Sequence, residues 1–117
     1  MESTLSHYQA KVESVYDGDT VRVNIDLGLK TWIKDEPVRL YGINAPELRG
    51  TERPKGLESR DRLRELIDGK EIYLETMKDT KGKFGRYLGK IWIERGGEWI
   101  NINDLMVQEG FADYKDY

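Results

Sequence analysis

Arg39 and Glu47 bracket a short apolar run, RLYGINAPE, and a second arginine, Arg86, opens another, RYLGKIW. Guanidinium groups meet phosphate through paired, charge-assisted hydrogen bonds. A carboxylate is an ordinary general base or water-positioning group. A third element, Asp17-Gly18-Asp19-Thr20, sets Asp19 at the head of a β-branched run. A carboxylate fixed at a strand end is a good ligand for a hard cation such as Ca²⁺ or Mg²⁺. Singly, each piece has a plainer meaning: a hairpin turn at Asp-Gly, a surface charge at Arg39, a basic loop at KGKFGR. Together they are the parts for phosphodiester hydrolysis. A cation and guanidinium groups offset charge on the phosphorane-like transition state, while a carboxylate positions or deprotonates water. Lys83 and Phe84 add a charge and a ring for a base or sugar. Tyr114 and Tyr117 in the tail FADYKDY could flank a nucleotide, although a chain end reads more simply as disordered.

These side chains need strands to aim them. YQAKVESVY, residues 8–16, places apolar residues at roughly alternate positions and reads as a strand. Asp17-Gly18-Asp19 turns the chain, and TVRVNIDL alternates, with Val21, Val23, Ile25 and Leu27 on one face. A loop from Gly28 to Glu36, holding a Trp32 expected to pack on the barrel, leads to a third strand, Pro37 to Ile43. Gly42 and Pro46 let the chain bend so that Arg39 and Glu47 face one cavity. From Gly56 the period becomes helical, with Leu57, Leu63, Leu66 and Ile67 as the apolar stripe and Gly69 as the end. Lys70–Met77 and Tyr87–Ile93 read as two more strands, with Gly96-Gly97 turning the chain after the second. In NINDLMVQEGF, Asn103 is the expected N-cap, Leu105 and Met106 the packing residues and Gly110 the stop. Three strands, a helix, two strands and a helix match a mainly β OB-fold: a five-stranded Greek-key barrel with a helix between strands 3 and 4 and a C-terminal helix.

Length and composition narrow the functions. The 117 residues suffice for one domain with one core, taken as residues 1–117. The absence of cysteine excludes disulfides and thiolate chemistry, and the single histidine, His7, leaves no material for a histidine zinc site or a Ser-His-Asp triad. A net charge of −3 argues against a bulk nucleic-acid coat protein while leaving room for a local cationic pocket. No apolar run approaches membrane-spanning length and the first residues lack a signal-like apolar core, so an intracellular monomer without membrane contact is expected.

The chain resembles the staphylococcal nuclease (thermonuclease) family over roughly residues 10–112. VYDGDTVRV, VRLYGINAPE, KGKFGRYLGKIW and NINDLMVQEGFA carry the resemblance, in the family's order and with a helix between the second and third. It implies an OB-fold barrel and a Ca²⁺-dependent nuclease that cuts DNA and RNA with little sequence preference, leaving 3′-phosphates. Arg39 and Arg86 then look like the phosphate-binding arginines, Glu47 like the carboxylate at the attacking water, and Asp19 like a calcium ligand. Ala45 would serve as a ligand through its backbone carbonyl. Asn44 departs from the family's Asp at a calcium-ligating position: it keeps a carbonyl oxygen but removes a charge, which predicts weaker calcium binding. Phe84 stands where a tyrosine is frequent, which keeps a ring for stacking but offers no hydroxyl to a phosphate. The alternative is a catalytically impaired module of the same family that binds nucleic acid or a protein.

Overall fold

A computed structural model describes residues 7–81 and 86–115 of the chain. Alternation in the second strand translates directly into burial. Val21, Val23 and Ile25 point into the core while Arg22, Asn24 and Asp26 face outward. That strand, β2 (Thr20–Asp26), pairs antiparallel with β1 (His7–Asp17) across the Asp-Gly turn, and with β3 (Trp32–Leu40) on its other side. A two-residue strand, β4 (Ile43–Asn44), and a 3₁₀ turn (Gly50–Glu52) lead into α1 (Arg53–Ile67). Then come β5 (Glu71–Lys81), β6 (Tyr87–Arg95), β7 (Glu98–Asn101), α2 (Ile102–Gln108) and β8 (Asp113–Tyr114).

β1 also pairs with β5, and β5 with β6. A parallel ladder of Val38, Arg39 and Leu40 with Tyr87, Leu88 and Gly89 joins β3 to β6. That parallel contact closes a five-stranded barrel, β1-β2-β3-β6-β5, of the expected OB type, with β7 extending the sheet beyond it. Closure wraps the barrel strands around one core made mostly of Val, Ile and Leu side chains. α1 covers the barrel with Leu63, Leu66 and Ile67, and α2 with Ile102 and Met106. Among the described residues no helix is long and apolar enough to cross a membrane.

Several expectations change in detail. β3 begins at Trp32, inside the span read as a loop. The turn is tight instead, with Thr31 N–H donating to Gly28 O and Leu27 N–H to Thr31 O, and with Leu29 and Lys30 at positive φ. Residues 32–35 are exposed on both faces, so no apolar alternation marks them as strand. Trp32 is half exposed rather than packed, and Leu27 lies past the end of β2 in solvent. Residues 113–115 of the tail are structured: β8 pairs with β4, and Lys115 N–H donates to Gly42 O at 2.7 Å. The N-cap of α2 is Asn101, whose side chain accepts from Asp104 N–H at 3.1 Å. Asn103 has a different task. Buried, it accepts from Ile91 N–H and donates to the carbonyls of Tyr41 and Gly89. It thereby ties the end of the Arg39 strand to the strand that begins after Arg86.

Candidate active site

Asp19 is the anchor of the site. The Asp-Gly turn points its backbone N–H at Asp17 Oδ1, 3.0 Å away. Its own carboxylate accepts from Ala45 N–H at 2.7 Å and from Thr20 Oγ1 at 3.2 Å. Arg39 Nη1 completes the set at 3.1 Å from Asp19 Oδ2. Asp17 beside it has its pKa pushed up to about 6, first by burial and then by the neighbouring Asp19 charge. Two carboxylates are therefore held together at the mouth of the β1–β2 turn.

Close backbone approach fixes that turn and Glu47 against α1. A Cβ at Gly18 would run into Ser59 Oγ and the Ala45 Cβ, and a Cβ at Gly56 would run into the Glu47 carbonyl oxygen. Ser59 is locked in turn by its bond to Phe111 O at 2.8 Å. Gly42, at φ 81°, makes the bend that the sequence requires between Arg39 and Glu47.

Arg39, Asn44, Glu47 and Arg86 then line one open cavity of about 610 Å³, with Asp19 and Thr20 at its wall. Arg39 is well fixed. Beyond Asp19, it donates to Ile43 O at 3.1 Å and, through Nη2, to Asn44 Oδ1 at 3.0 Å. Arg86 Nη1 reaches Thr20 Oγ1 at 3.4 Å. Glu47 is largely exposed, and its Oε2 meets Arg49 Nε at 3.1 Å. Arg49, Asp17, Tyr16 and Lys115 also line the cavity, and sequence reasoning does not single them out as site residues. The Glu-x-Arg spacing of residues 47–49 holds no signal for Arg49, because two charged loop residues two apart are commonplace. Tyr114 lies outside the cavity lining, with its hydroxyl donating to Asp104 Oδ1 at 3.2 Å. Lys83 and Phe84 lie outside the described residues.

Asp19, Asn44 and Ala45 offer only oxygen donors, the kind a hard divalent cation takes. Charge is sparse, however: among the described residues no group of three His, Cys, Asp or Glu side chains is placed to hold a metal. Asp19, Asn44 and the Ala45 carbonyl are the oxygen groups that could hold such a cation, and two of them, Asp19 Oδ2 and Asn44 Oδ1, meet Arg39 here.

A closed five-stranded OB-type barrel thus carries two arginines and a carboxylate in one cleft. The chain belongs to the family of staphylococcal nuclease homologues, whose model matches residues 37–117. It is 31% identical to the thermonuclease of Staphylococcus hyicus over 110 residues, covering 92% of this chain and 59% of that protein. It is 30% identical to the thermonuclease of Staphylococcus intermedius, covering 91% and 59%. A third relative, the probable endonuclease LCL3 of Komagataella phaffii, is 27% identical over 91% of this chain and 55% of its own. The chain thus spans between half and two thirds of the length of these relatives.

Proposed function

We propose that the domain is a metal-dependent nuclease, with Ca²⁺ as the cation, that hydrolyses phosphodiester bonds of DNA and RNA with little sequence preference and leaves 3′-phosphates. The observation that carries this reading is the convergence of Arg39, Glu47 and Arg86 on one cavity beside the buried Asp19. Nothing in the packing of the barrel requires those three side chains to meet. The names of the relatives point the same way.

Arg39 and Arg86 would grip the scissile phosphate from two sides, each neutralising charge that grows on the non-bridging oxygens. Arg39 brings a guanidinium already fixed by Asp19 and Ile43 O, so little ordering is left for the reaction step. Glu47 would take a proton from the attacking water as its oxygen bonds to phosphorus. The bond from phosphorus to the 5′ oxygen then breaks, and that oxygen takes a proton from solvent. Arg49 must swing off Glu47 for this, which its exposed position permits. A cation held by Asp19, Asn44 and the Ala45 carbonyl would supply further positive charge at the phosphate.

The test is incubation of end-labelled single-stranded DNA and RNA with millimolar Ca²⁺, with and without EDTA, followed by analysis of the fragment termini. Calcium-dependent fragments ending in 3′-phosphate support the reading. Tight binding of the oligonucleotide without cleavage would favour the impaired module, for which Asn44 is the supporting departure.

A further inference from the structure

A second concavity, of about 470 Å³, lies away from the cleft, against the outer face of the sheet. The ladder registers place Trp32, Asp26, Gln9, Tyr73 and Trp92 in one cross-strand row running over β3, β2, β1, β5 and β6. Trp99 stands on β7 opposite Glu94, and Glu71 on β5 opposite Lys11. All three tryptophans of the chain therefore line this groove and none lines the cleft. Cross-strand aromatic pairs can serve sheet stability alone. Here Trp99 packs on Tyr73 with ring centroids 5.6 Å apart, yet Trp32 and Trp99 still leave 43% and 45% of their surface in solvent.

The charges on the rim decide the occupant. Asp26, Glu71 and Glu94 stand against Lys11 on the lining and Lys34 over Trp32, so carboxylates outnumber ammonium groups by three to two. Indole and phenol faces attract cations, and a guanidinium can stack on a ring while its edge meets a carboxylate. The protein already makes one such contact in this region: Lys34 Nζ lies 4.9 Å from the Trp32 ring centroid. A nucleic-acid strand would find rings to stack on but carboxylates facing its phosphates. The row crosses five strands at ~4.8 Å per step, roughly 20 Å, which exceeds the reach of one side chain.

We propose that this groove is a binding site for an extended, arginine-bearing peptide segment of a partner protein, with guanidinium groups stacked on Trp32 and Trp99 and paired with Asp26, Glu71 and Glu94. The site shares no residue with the cleft, so it stands or falls apart from the nuclease reading.

Intrinsic tryptophan emission reports on the groove directly, since no tryptophan lies elsewhere. The probe is the peptide acetyl-Arg-Gly-Arg-Gly-Arg-amide, titrated against a counterpart with glutamate in place of arginine. The arginine peptide should shift the emission saturably and the glutamate peptide should not. The double variant Glu71→Gln/Glu94→Gln should weaken binding by about tenfold. Glu52→Gln/Glu58→Gln, which removes two exposed carboxylates at α1, should leave it unchanged. Equal weakening by the α1 pair would mean that the peptide responds only to overall negative charge, and would overturn the proposal. So would the same saturable shift with a single-stranded oligonucleotide, which would make the groove a nucleic-acid surface.

Discussion

Arg39 Nη1 lies 3.1 Å from Asp19 Oδ2, with only 11% and 8% of the two side chains exposed. The pair does two things. It neutralises a carboxylate that the β1–β2 turn buries, and it holds the guanidinium in the cleft wall. Removing one partner leaves an uncompensated buried charge, which is costly out of proportion to the strength of the pair itself. Arg39→Ala should therefore destabilise the fold by about 3 kcal/mol in urea unfolding. Arg86→Ala removes a half-buried side chain without stranding the Asp19 carboxylate, so it should cost less stability while losing comparable cleavage activity. A loss of under about 1 kcal/mol for Arg39→Ala would show that the pair has no structural share.

Gly56 gives a sign test. Alanine in place of a helical glycine ordinarily stabilises by about 1 kcal/mol. A Cβ at this position instead meets the Glu47 carbonyl oxygen, which belongs to backbone and cannot rotate away. Gly56→Ala should destabilise, by about 2 kcal/mol, and should lower kcat more than KM because Glu47 is displaced. A stabilised variant with full activity would show that α1 does not position the carboxylate.

Asn44 concerns the metal. Its Oδ1 accepts from Arg39, so the position contributes a dipole where a carboxylate would contribute a charge. Asn44→Asp should bind Ca²⁺ more tightly by calorimetry, by about tenfold for one added ligand charge. Unchanged affinity would mean that residue 44 is not a ligand.

Far from the cleft, Arg62 makes a two-pronged contact with Glu109, at 2.6 and 2.9 Å, joining α1 to the end of α2. The hydrogen bond from Arg62 holds the Glu109 carboxyl below the ordinary glutamate value of 4.5. A depressed carboxylate stabilises the fold above its unfolded-state value and loses that contribution as pH falls through its folded-state value. Arg62→Ala should thus cost under about 1 kcal/mol at pH 7, as partly exposed pairs do. The difference from wild type should vanish once Glu109 is protonated. Urea midpoints measured across the acid range check this, and a difference that persists there would assign the effect to packing of the Arg62 stem.

The barrel strands are legible in the sequence because the core side of each keeps the two-residue period: Val21, Val23 and Ile25 leave little choice of face. Where a strand is bare on both sides, as at 32–35, the period disappears and a loop is the natural reading. Asn103 misleads for a different reason. Its neighbour Asn101 offers the same capping chemistry, and only the tertiary fold reveals that the buried amide replaces ladder bonds of Tyr41, Gly89 and Ile91. In the cleft, side chains that act through charge at a strand end, Asp19 and Arg39, stand out in the sequence. Arg49 and Lys115 do not, since they reach the cavity from a loop and from a tail whose pairing with β4 depends on contacts distant in sequence. The aromatic row is hidden for the same reason: Trp32 and Trp92 are far apart in the chain and fall in one row only through sheet register.

Glu47 bears the central claim, and one comparison tests it most directly: single-turnover cleavage of labelled single-stranded DNA at saturating Ca²⁺ by wild type and by Glu47→Gln. The variant keeps the size and exposure of the side chain and removes its capacity to take a proton. The account predicts calcium-dependent cleavage by wild type and a loss of about a hundredfold or more in the variant, with oligonucleotide binding retained. Cleavage by Glu47→Gln at the wild-type rate would contradict the assignment of Glu47 as the base, and an inactive wild type would contradict the nuclease reading itself.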